Sequence, residues 1–288
     1  MIFQKVTLPA GLYLVATPIG TARDITLRAL DTLASADVLA AEDTRSLRHL
    51  LSIHGVPVGG RPVLAYHDHS EASARARIRS LVAEGKSVVY TSEAGTPLIA
   101  DPGYALVSDL QASGALVTVV PGPVAAVAAL TLAGLPTDRF LFLGFPPPRQ
   151  TARRTLLTEM GRVHATLVLY ESPKRIEKLL EDVVHSLGAE RKVAMCRELT
   201  KRFEDIRRGS AAVVLDGLRD VPARGECVLV VGPPGAPAVS VADLENALRA
   251  ALRDQSVKDA AKLVSDAYDR PRREVYQMAL RLSQGDKA

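Results

Sequence analysis

Apolar runs of strand length alternate with segments of helical periodicity along most of the chain. Strands separated by helices in this way are typical of βαβ units with a mainly parallel sheet. A Pro-Gly-Pro break at 121–123 divides the pattern into two blocks, so we predict two α/β domains, residues 1–120 and 121–236. The predicted strands are 12–16, 38–41, 63–66, 87–90 and 116–120 in the first block, and 140–145, 166–170, 193–197, 211–215 and 227–231 in the second.

Helical spacing is clearest at 173–187, where apolar residues recur every three or four positions from Ile176 to Leu187. Ser172 is placed to cap the start of this helix and Gly188 to end it. Asp101 is expected to cap another helix, since a proline follows it at the first helical position. The further predicted helices are 24–36, 44–54, 70–83, 102–112 and 124–133.

A linker rich in glycine and proline begins at Gly232, and beyond it the pattern contains helices without strands. Three helices are predicted at 241–253, 257–268 and 272–282, the second with a capping box formed by Ser256 and Asp259. Residues 237–288 are therefore predicted to form a helical extension. A helix-turn-helix and a plain three-helix cap both remain open for it.

The composition is that of a globular protein with a sizeable core, because 47% of the residues are hydrophobic, 24% are charged and 4% are aromatic. There is no apolar run long enough to span a membrane and no signal-peptide pattern. Cys196 and Cys227 fall in predicted strands, where two reduced and buried thiols are expected. These features predict a cytoplasmic protein.

The net charge of +4 is distributed unevenly. Residues 149–239 contain 16 Lys and Arg against 12 Asp and Glu, whereas residues 1–148 contain 11 against 12. A basic excess in the middle third favours a phosphate-rich partner such as RNA. Ordinary solvated surface charge is the alternative.

Several cofactor and metal motifs do not occur in the sequence. It has no GxGxxG opening a βαβ unit, no GxxxxGK[ST] and no HExxH, so nicotinamide, flavin, P-loop and zinc-protease functions have no motif support. His67-Asp68-His69 is a dense polar cluster, but it lacks enough partners nearby for a metal site. No metal is predicted, and a loop that contacts substrate is the preferred interpretation.

Seven unusual loops directly follow predicted strands, and the most informative one runs from Ser92 to Gly103. Gly95 permits a positive φ there, while two prolines stiffen the chain. Since the C-terminal ends of parallel strands share one edge of a sheet, we expect the loops to converge on a common site. They begin at Thr17, Glu42, His67, Ser92, Pro121, Tyr170 and Arg197.

The motifs in these loops, taken in order, closely resemble the RsmI family, the ribosomal small subunit methyltransferases I of the tetrapyrrole methylase superfamily. The resemblance extends from about residue 11 to residue 232, and the tail at 256–275 resembles the family's C-terminal extension. The chain departs from the family at Thr21 and Ala100, where Asn is common, and at Glu93, where Asp is usual. The matching motifs are Ala-Thr-Pro-Ile-Gly (16–20), Asp-Ile-Thr (24–26), Ala-Glu-Asp-Thr-Arg (41–45), Tyr-His-Asp-His (66–69), Ser-Glu-Ala-Gly-Thr-Pro-Leu-Ile (92–99), Asp-Pro-Gly (101–103), Pro-Gly-Pro (121–123), Gly-Leu-Pro (134–136), Tyr-Glu-Ser (170–172) and Arg-Glu-Leu-Thr (197–200).

The resemblance implies an α/β fold with two domains of the class III methyltransferase type, S-adenosyl-L-methionine in the cleft between them, and a small helical extension. It also implies methylation of the ribose 2′-hydroxyl of a decoding-centre cytidine in 16S rRNA, by a homodimer that acts on the small ribosomal subunit and not at a membrane. The implied cofactor residues are Thr17, Pro18, Glu93, Ala94, Gly95, Thr96, Pro97, Gly122, Pro123, Val124, Ala125, Tyr170, Glu171, Gly225 and Glu226.

A ribose hydroxyl is a weak nucleophile until its proton is accepted, whereas the methyl group of a sulfonium cofactor is already activated. Acidic residues of the loops are therefore the candidate proton acceptors. The unranked candidates are Glu42, Asp43, Asp68 and Asp101. For Glu42 and Asp43, an internal ion pair with Arg45 is an equal alternative.

Candidate RNA-binding residues lie mainly in the basic second block, with two in the first. Phosphate contacts would make binding salt-dependent, and the scarcity of aromatic residues favours recognition of shape and phosphate over base stacking. The candidates are Arg45, His67, Arg153, Arg154, Arg175, Arg197 and Lys201.

Two other functions compete with rRNA methylation. A C-methyltransferase for a porphyrin-type macrocycle is disfavoured by the Glu-Asp-Thr-Arg and His-Asp-His loops, the basic middle third and the helical tail. A non-catalytic ribosome-assembly factor is disfavoured because Gly95, Pro97, Gly122 and Pro123 are intact in the expected cofactor loops.

Overall fold

The first α/β block forms a parallel five-stranded sheet. A computed structural model describes residues 2–67, 71–235, 241–268 and 270–285. The strands of this sheet are β1 (Gly11–Val15), β2 (Val38–Ala41), β3 (Val63–Ala65), β4 (Ser87–Thr91) and β5 (Val117–Val120). They lie in the order β3-β2-β4-β1-β5, and every neighbouring pair is parallel, as the alternating pattern predicts.

Four helices cover the two faces of this sheet: α1 (Leu27–Ser35), α2 (Thr44–Ile53), α3 (Glu71–Ala83) and α4 (Tyr104–Ala112). Leu30 and Leu51, from α1 and α2, pack in one core cluster, whereas Ile78 and Leu106, from α3 and α4, pack in another. The two clusters take alternate residues of the strands, because successive strand side chains point to opposite faces.

The start of α4 differs from the prediction that Asp101 caps it, which is wrong. The cap residue is Gly103, whose φ of 125° breaks the helical path after Pro102. The hydroxyl of Tyr90 donates to the carbonyl of Pro102 at 3.0 Å and holds that residue outside the helix. The side chain of Asp101 is therefore not used for capping.

The second block forms a mixed five-stranded sheet with the order β6-β7-β10-β8-β9, comprising β6 (Phe140–Gly144), β7 (Thr166–Glu171), β8 (Lys192–Arg197), β9 (Asp205–Ser210) and β10 (Cys227–Val231). The pair β6–β7 is parallel, and the other three pairs are antiparallel. Because β10 lies between β7 and β8 and is antiparallel to both, β7 and β8 run in the same direction. Their C-terminal ends therefore share an edge, as the convergence of loops requires.

The helices of this block are α5 (Ala125–Leu132), α6 (Gln150–Met160), α7 (Ile176–Leu187) and α8 (Ala211–Asp220). Leu157, Leu179 and Val214, from α6, α7 and α8, pack in one core cluster. Ala129 of α5 packs in a separate cluster with strand residues such as Val168. Residues 172–175 form a turn, so α7 begins three residues later than predicted and its N-cap is Arg175 instead of Ser172.

The prediction of a strand at 211–215 is wrong, because these residues begin α8. Ala211, Val214, Leu215 and Leu218 are buried at helical spacing, which fills one face of the helix. The strand is the preceding polar segment, β9, which forms the antiparallel edge of the sheet beside β8. An edge strand does not need the apolar run by which a buried strand is found.

By their contacts, residues 1–233 form one compact unit and residues 234–288 form another. The boundary between the two predicted α/β domains within the first unit stays a prediction. The second unit contains α9 (Val241–Ala251), α10 (Val257–Tyr268) and α11 (Arg272–Gly285), packed around Leu248, Val264 and Ala279. Half of the predicted capping box is present, since the backbone N–H of Asp259 donates to Ser256 Oγ at 3.2 Å, while the Asp259 carboxylate accepts from that Oγ at 2.6 Å. No helix in the described ranges is long and apolar enough to cross a membrane.

Candidate active site

A cleft of about 830 Å³ lies where the loop-bearing edges of the two sheets meet. Its volume falls within the roughly 300–1,000 Å³ of small-molecule sites. The expected convergence of the loops thus occurs, and most of the residues implied as cofactor contacts lie together on the cleft wall. They are Pro18, Glu93, Ala94, Gly95, Thr96, Val124, Ala125, Tyr170, Glu171, Gly225 and Glu226.

Four of the residues implied as cofactor contacts do not line the cleft: Thr17, Pro97, Gly122 and Pro123. Three of them position the loops that do. The backbone of Thr17 pairs with Gly95, donating at 2.8 Å and accepting at 3.0 Å, and Thr96 Oγ1 donates to the carbonyl of Pro123 at 3.0 Å. A Cβ at Gly122 would lie 2.8 Å from Cβ of Ala16, so this glycine allows the loop to approach β1.

Sequence reasoning did not assign several residues of the cleft wall. Phe145 directly follows β6, which is parallel to β7, so the rule that strand ends share an edge could have found it. Its ring packs edge-on against Tyr170 with 5.7 Å between centroids. The other unassigned wall residues are Ile19, Gly20, Ser46, Ile99, Ala100, Ser172, Pro173, Glu198, Leu199, Cys227 and Val228.

A tight polar cradle closes the second-sheet side of the cleft. Glu198 Oε1 accepts from Lys201 Nζ and from the backbone N–H of Glu226, both at 3.1 Å, and Lys201 also pairs with Glu226 at 2.9 Å. Gly225 has a φ of 76°, and a Cβ there would overlap the Glu198 carboxylate. Glycine at 225 therefore avoids a strained φ and leaves the Glu198 side chain in place. Lys201 is the one basic side chain along the described wall of the cleft.

Cys227 lines the cleft but does not provide a nucleophile. Both cysteines are free and buried, as predicted. Burial raises the pKa of the Cys227 thiol to about 11, and the negative charges of Glu198 and Glu171 oppose its ionisation further. Since the thiolate is the reactive form, this thiol is inert near neutral pH.

Asp101 is the carboxyl group that the cleft perturbs most clearly. Burial, together with the charges of Glu42 and Glu93, raises its pKa from 3.8 to about 6, against a hydrogen bond with Ser92 that lowers it. The neighbouring backbone is held by Glu42, whose carboxylate accepts from the N–H of Glu93 at 3.2 Å. Burial also raises the pKa of Tyr170 across the cleft, where the Asp101 charge adds to the effect. A carboxyl group in such a setting is suited to exchanging a proton near neutral pH.

Asp43 has a structural role, and its use as a proton acceptor stays a prediction. It is the N-cap of α2, and its carboxylate accepts from the backbone N–H of Arg45 at 2.7 Å and of Ser46 at 3.4 Å. A side-chain hydrogen bond from Arg45 lowers the pKa of Asp43, and the backbone hydrogen bond adds to this. A carboxylate stabilised in its charged form is a weak base.

The loop that carries Asp101 has a constrained backbone. Leu98 and Ala100, neither of them glycine, have φ values of 73° and 64°. This left-handed region costs residues with a Cβ free energy, but Asn tolerates it better than Ala does. The departure from the family's common Asn at position 100 therefore places a less suitable residue in a strained turn.

Arg153 is not available to bind RNA, and that prediction is wrong. Its side chain is 5% exposed and lies 2.5 Å from the fully buried carboxylate of Asp182 on α7. Arg154 reaches the same carboxylate at 2.6 Å with a side chain that is 34% exposed. The pair holds α6 and α7 together, because a buried carboxylate needs compensating charge.

Three of the other predicted RNA-binding residues make ion pairs within the protein. Arg175 pairs with Glu171 at 2.9 Å and Arg197 with Asp205 at 3.3 Å. Arg45 pairs with Asp43, although its side chain is 90% exposed. Their use in RNA binding, like that of Arg154, Lys201 and the half-buried His67, stays a prediction.

The His67-Asp68-His69 cluster lies partly outside the described residues, since 68–70 are not included. Asp68 therefore stays a predicted proton acceptor with no structural account. Within the described ranges, no group of three or more His, Cys, Asp and Glu side chains is arranged to hold a metal ion.

Comparison with known protein families shows which family the chain belongs to. Residues 11–214 match the model for Tetrapyrrole (Corrin/Porphyrin) Methylases, and residues 238–283 match the RsmI C-terminal HTH domain. The chain belongs to the ribosomal RNA small subunit methyltransferase I family of tetrapyrrole methylases. The resemblance to the RsmI family that the loop motifs indicate is confirmed. Of the two possibilities for the helical extension, the match favours the helix-turn-helix.

Curated relatives match over nearly the whole chain. The ribosomal RNA small subunit methyltransferase I of Mesorhizobium japonicum is 43% identical over 96% of this chain and 93% of its own length. That of Vibrio cholerae is 40% identical over 95% of this chain and 96% of its own length. Both matches include the helical extension as well as the two sheets.

Solved structures at lower identity share the fold. The methyltransferase CobJ aligns with a TM-score of 0.61 at 20% identity, covering 80% of this chain and 97% of its own. A uroporphyrin-III C-methyl transferase from Thermus thermophilus, complexed with S-adenosyl homocysteine, aligns with a TM-score of 0.54 at 20% identity, covering 77% and 97%. The predicted α/β fold of tetrapyrrole-methylase type is confirmed.

Proposed function

We propose that this protein transfers the methyl group of S-adenosyl-L-methionine to the ribose 2′-hydroxyl of a decoding-centre cytidine in 16S rRNA. The observation that carries the chemistry is the carboxyl group of Asp101 on the wall of the cleft, with a pKa raised to about 6 by burial and by its acidic neighbours. The choice of small-subunit rRNA as the substrate is supported by curated relatives, which are named as rRNA small subunit methyltransferases, and the choice of the cytidine 2′-hydroxyl follows from the resemblance of the loop motifs. The homodimer and the small-subunit substrate belong to the same proposal.

The residues of the cleft fit the proposed cofactor. The carboxylate of Glu42 and the acidic character of the wall complement its sulfonium and ammonium charges. Small side chains at Ala94 and Ala125 leave room for a nucleoside along the wall. Bound S-adenosyl-L-methionine supplies an activated methyl group on sulfur, so orientation and proton acceptance remain for the protein.

Asp101 is the proposed proton acceptor. At neutral pH it is ionised but basic enough to form a strong hydrogen bond to a ribose hydroxyl and to take its proton as the oxygen becomes a better nucleophile. Glu42 acts as a positioning residue, because it holds the backbone of the same loop through Glu93 and its charge keeps the Asp101 pKa high. The ring of Phe145, exposed on the opposite wall beside Tyr170, offers a flat apolar surface for a nucleoside.

The rim of the cleft carries cations for the RNA backbone. Lys174 directly follows the wall residue Pro173, and Arg202 directly follows the wall residue Lys201. Neither basic side chain makes an ion pair with any described residue. Arg202 also lies 5.4 Å from the ring centroid of Phe203, which is 63% exposed. These two cations replace the buried Arg153 as the preferred phosphate contacts.

A methyl-transfer assay on isolated small ribosomal subunits tests the proposal. Wild-type protein with S-adenosyl-L-methionine should produce 2′-O-methylcytidine, detected by mass spectrometry of digested 16S rRNA. Asp101→Asn should lower kcat by roughly 10²- to 10⁴-fold while leaving the Kd for the cofactor within a few-fold. Asp43→Asn, the matched control on a neighbouring loop, should retain kcat. Methylation of a base carbon or nitrogen, or full activity of Asp101→Asn, would contradict the proposal.

The charge of the rim is tested separately. Lys174→Glu with Arg202→Glu should weaken subunit binding and lower the slope of log Kd against log salt by roughly 0.7–0.9 for each lost phosphate contact. Arg162→Glu, at an exposed cation that precedes the start of β7, whose other end borders the cleft, is the matched control. An unchanged slope in the double variant would remove these residues from the RNA interface.

A further inference from the structure

A second, smaller pocket lies beside the cleft on the side of α2, and no part of the proposed mechanism uses it. It has a volume of about 250 Å³. We call it the α2 pocket and define it by Thr17, Ser46, His49, Leu50, Thr91 and Glu93. Ser46 and Glu93 also line the main cleft, as do Pro18 and Gly20. A molecule in the α2 pocket would therefore border directly on the cofactor site.

Two buried hydroxyl groups at this pocket lack partners. Thr17 is 3% exposed and Thr91 is 1% exposed, and the Oγ1 of each makes no hydrogen bond with any described residue. Thr91 ends β4 and Thr17 follows β1, so both lie at the edge of the first sheet where the loops begin. A buried hydroxyl without a partner costs free energy. Rotation of either side chain toward the pocket would let a polar ligand there remove this cost.

The size and lining of the pocket limit what it can hold. The volume lies just below the roughly 300–1,000 Å³ of small-molecule sites, which suits a pyrimidine ring with its exocyclic groups and is far too small for a tetrapyrrole macrocycle. Leu47, Leu50 and Ile53 of α2 provide an apolar wall for the face of a ring. The hydroxyls and the carboxylate of Glu93 provide polar groups for its edge.

We propose that the α2 pocket receives the base of the target nucleotide, turned out of the RNA stack. The hydroxyls of Thr17 and Thr91 bond to polar atoms on the edge of the base, and the carboxylate of Glu93 accepts from its exocyclic amine. This arrangement leaves the attached ribose at the shared mouth of the two cavities, beside Asp101. The inference rests on the proposed function and adds to it where the acceptor base is held.

Two variants test the pocket with intact small subunits. Thr91→Val keeps the shape of the side chain and removes the hydroxyl, so kcat/KM should fall roughly 3- to 10-fold, the contribution of one hydrogen bond. Leu50→Phe fills the pocket and should reduce kcat/KM further. In both variants the Kd for S-adenosyl-L-methionine, measured by calorimetry, should be unchanged. The unfolding midpoint of Thr91→Val should be equal to or above that of the wild type, because no hydrogen bond within the protein is lost.

Thr32→Val is the matched control. Thr32 is also buried, but its hydroxyl donates to the carbonyl of Arg28 at 2.7 Å and lies in α1, away from both cavities. It should lower the unfolding midpoint and leave kcat/KM unchanged, the opposite of the result for Thr91→Val.

The outcomes separate this inference from the proposed function. If the wild type does not methylate cytidine in the small subunit, the proposed function fails and the inference fails with it. If the wild type is active and Thr91→Val and Leu50→Phe both retain its kcat/KM, the proposed function stands and the pocket assignment is overturned. If either variant weakens cofactor binding as much as it lowers kcat/KM, the pocket belongs to the cofactor and the assignment is likewise overturned.

Discussion

Replacing Asp182 by Ala is expected to be among the most destabilising single changes in the second α/β block. Asp182 is fully buried on α7, and its carboxylate accepts from Arg153 Nε at 2.7 Å, Arg154 Nε at 2.6 Å and Gln150 Nε2 at 3.3 Å. The substitution leaves the guanidinium of Arg153, whose side chain is 5% exposed, without its counter-charge.

The magnitude follows from this burial. Breaking a buried pair by removing one partner costs about 3–5 kcal/mol, because an uncompensated charge stays in the interior. The free energy of unfolding of a whole domain is about 5–15 kcal/mol, so much of the stability would be lost. Arg154→Ala should cost about 1 kcal/mol or less, because water can reach the partly exposed end of that pair.

Urea denaturation followed by circular dichroism measures the effect as a change in midpoint at constant slope. A double variant, Arg153→Met with Asp182→Leu, should recover most of the loss, since an apolar pair of similar volume removes both charges together. A loss below about 1 kcal/mol for Asp182→Ala would refute the reasoning from burial. Arg153→Glu should accordingly impair rRNA and cofactor binding together through unfolding, and not RNA binding selectively.

Four further predictions concern the cleft. The pKa of Asp101 is about 6 in the folded protein, above its ordinary value of 3.8, so the native protein loses stability as pH rises from about 4 to about 6. Asp101→Asn should therefore raise the melting temperature at pH 7.5 and not at pH 4. The wild-type methyl-transfer rate should rise with pH through an apparent pKa near 6, and a flat profile between pH 5 and 7 would exclude Asp101 as the base. Ala100→Asn should stabilise the protein by up to about 1 kcal/mol in thermal unfolding, because Asn tolerates the positive φ there, and a destabilised variant would mean that the turn is not strained. Gly225→Ala should weaken cofactor binding measured by calorimetry, since its Cβ would displace the Glu198 carboxylate, whereas Gly235→Ala, which meets no atom within 4 Å, should not.

The sequence alone determined the class of fold, most of the elements and the edge at which the site forms. Apolar strands and helical periodicity are local properties that survive in any tertiary arrangement, so β1–β5 and the helices around them were found with small errors at their ends. The family resemblance of the loop motifs also implied many residues of the cleft wall, and the shared edge of parallel strand ends explains why the loops lie together.

The tertiary structure decided which polar residues are available for chemistry. Arg153 and Arg154 are neighbours in sequence, yet one is buried against Asp182 and the other is partly exposed, since α7 packs on one side of α6. Asp43 and Asp101 are both acidic loop residues, but a side-chain hydrogen bond from Arg45 lowers the pKa of the first, whereas burial near Glu42 raises that of the second. Burial and partner geometry depend on contacts between distant segments, which a single sequence does not specify.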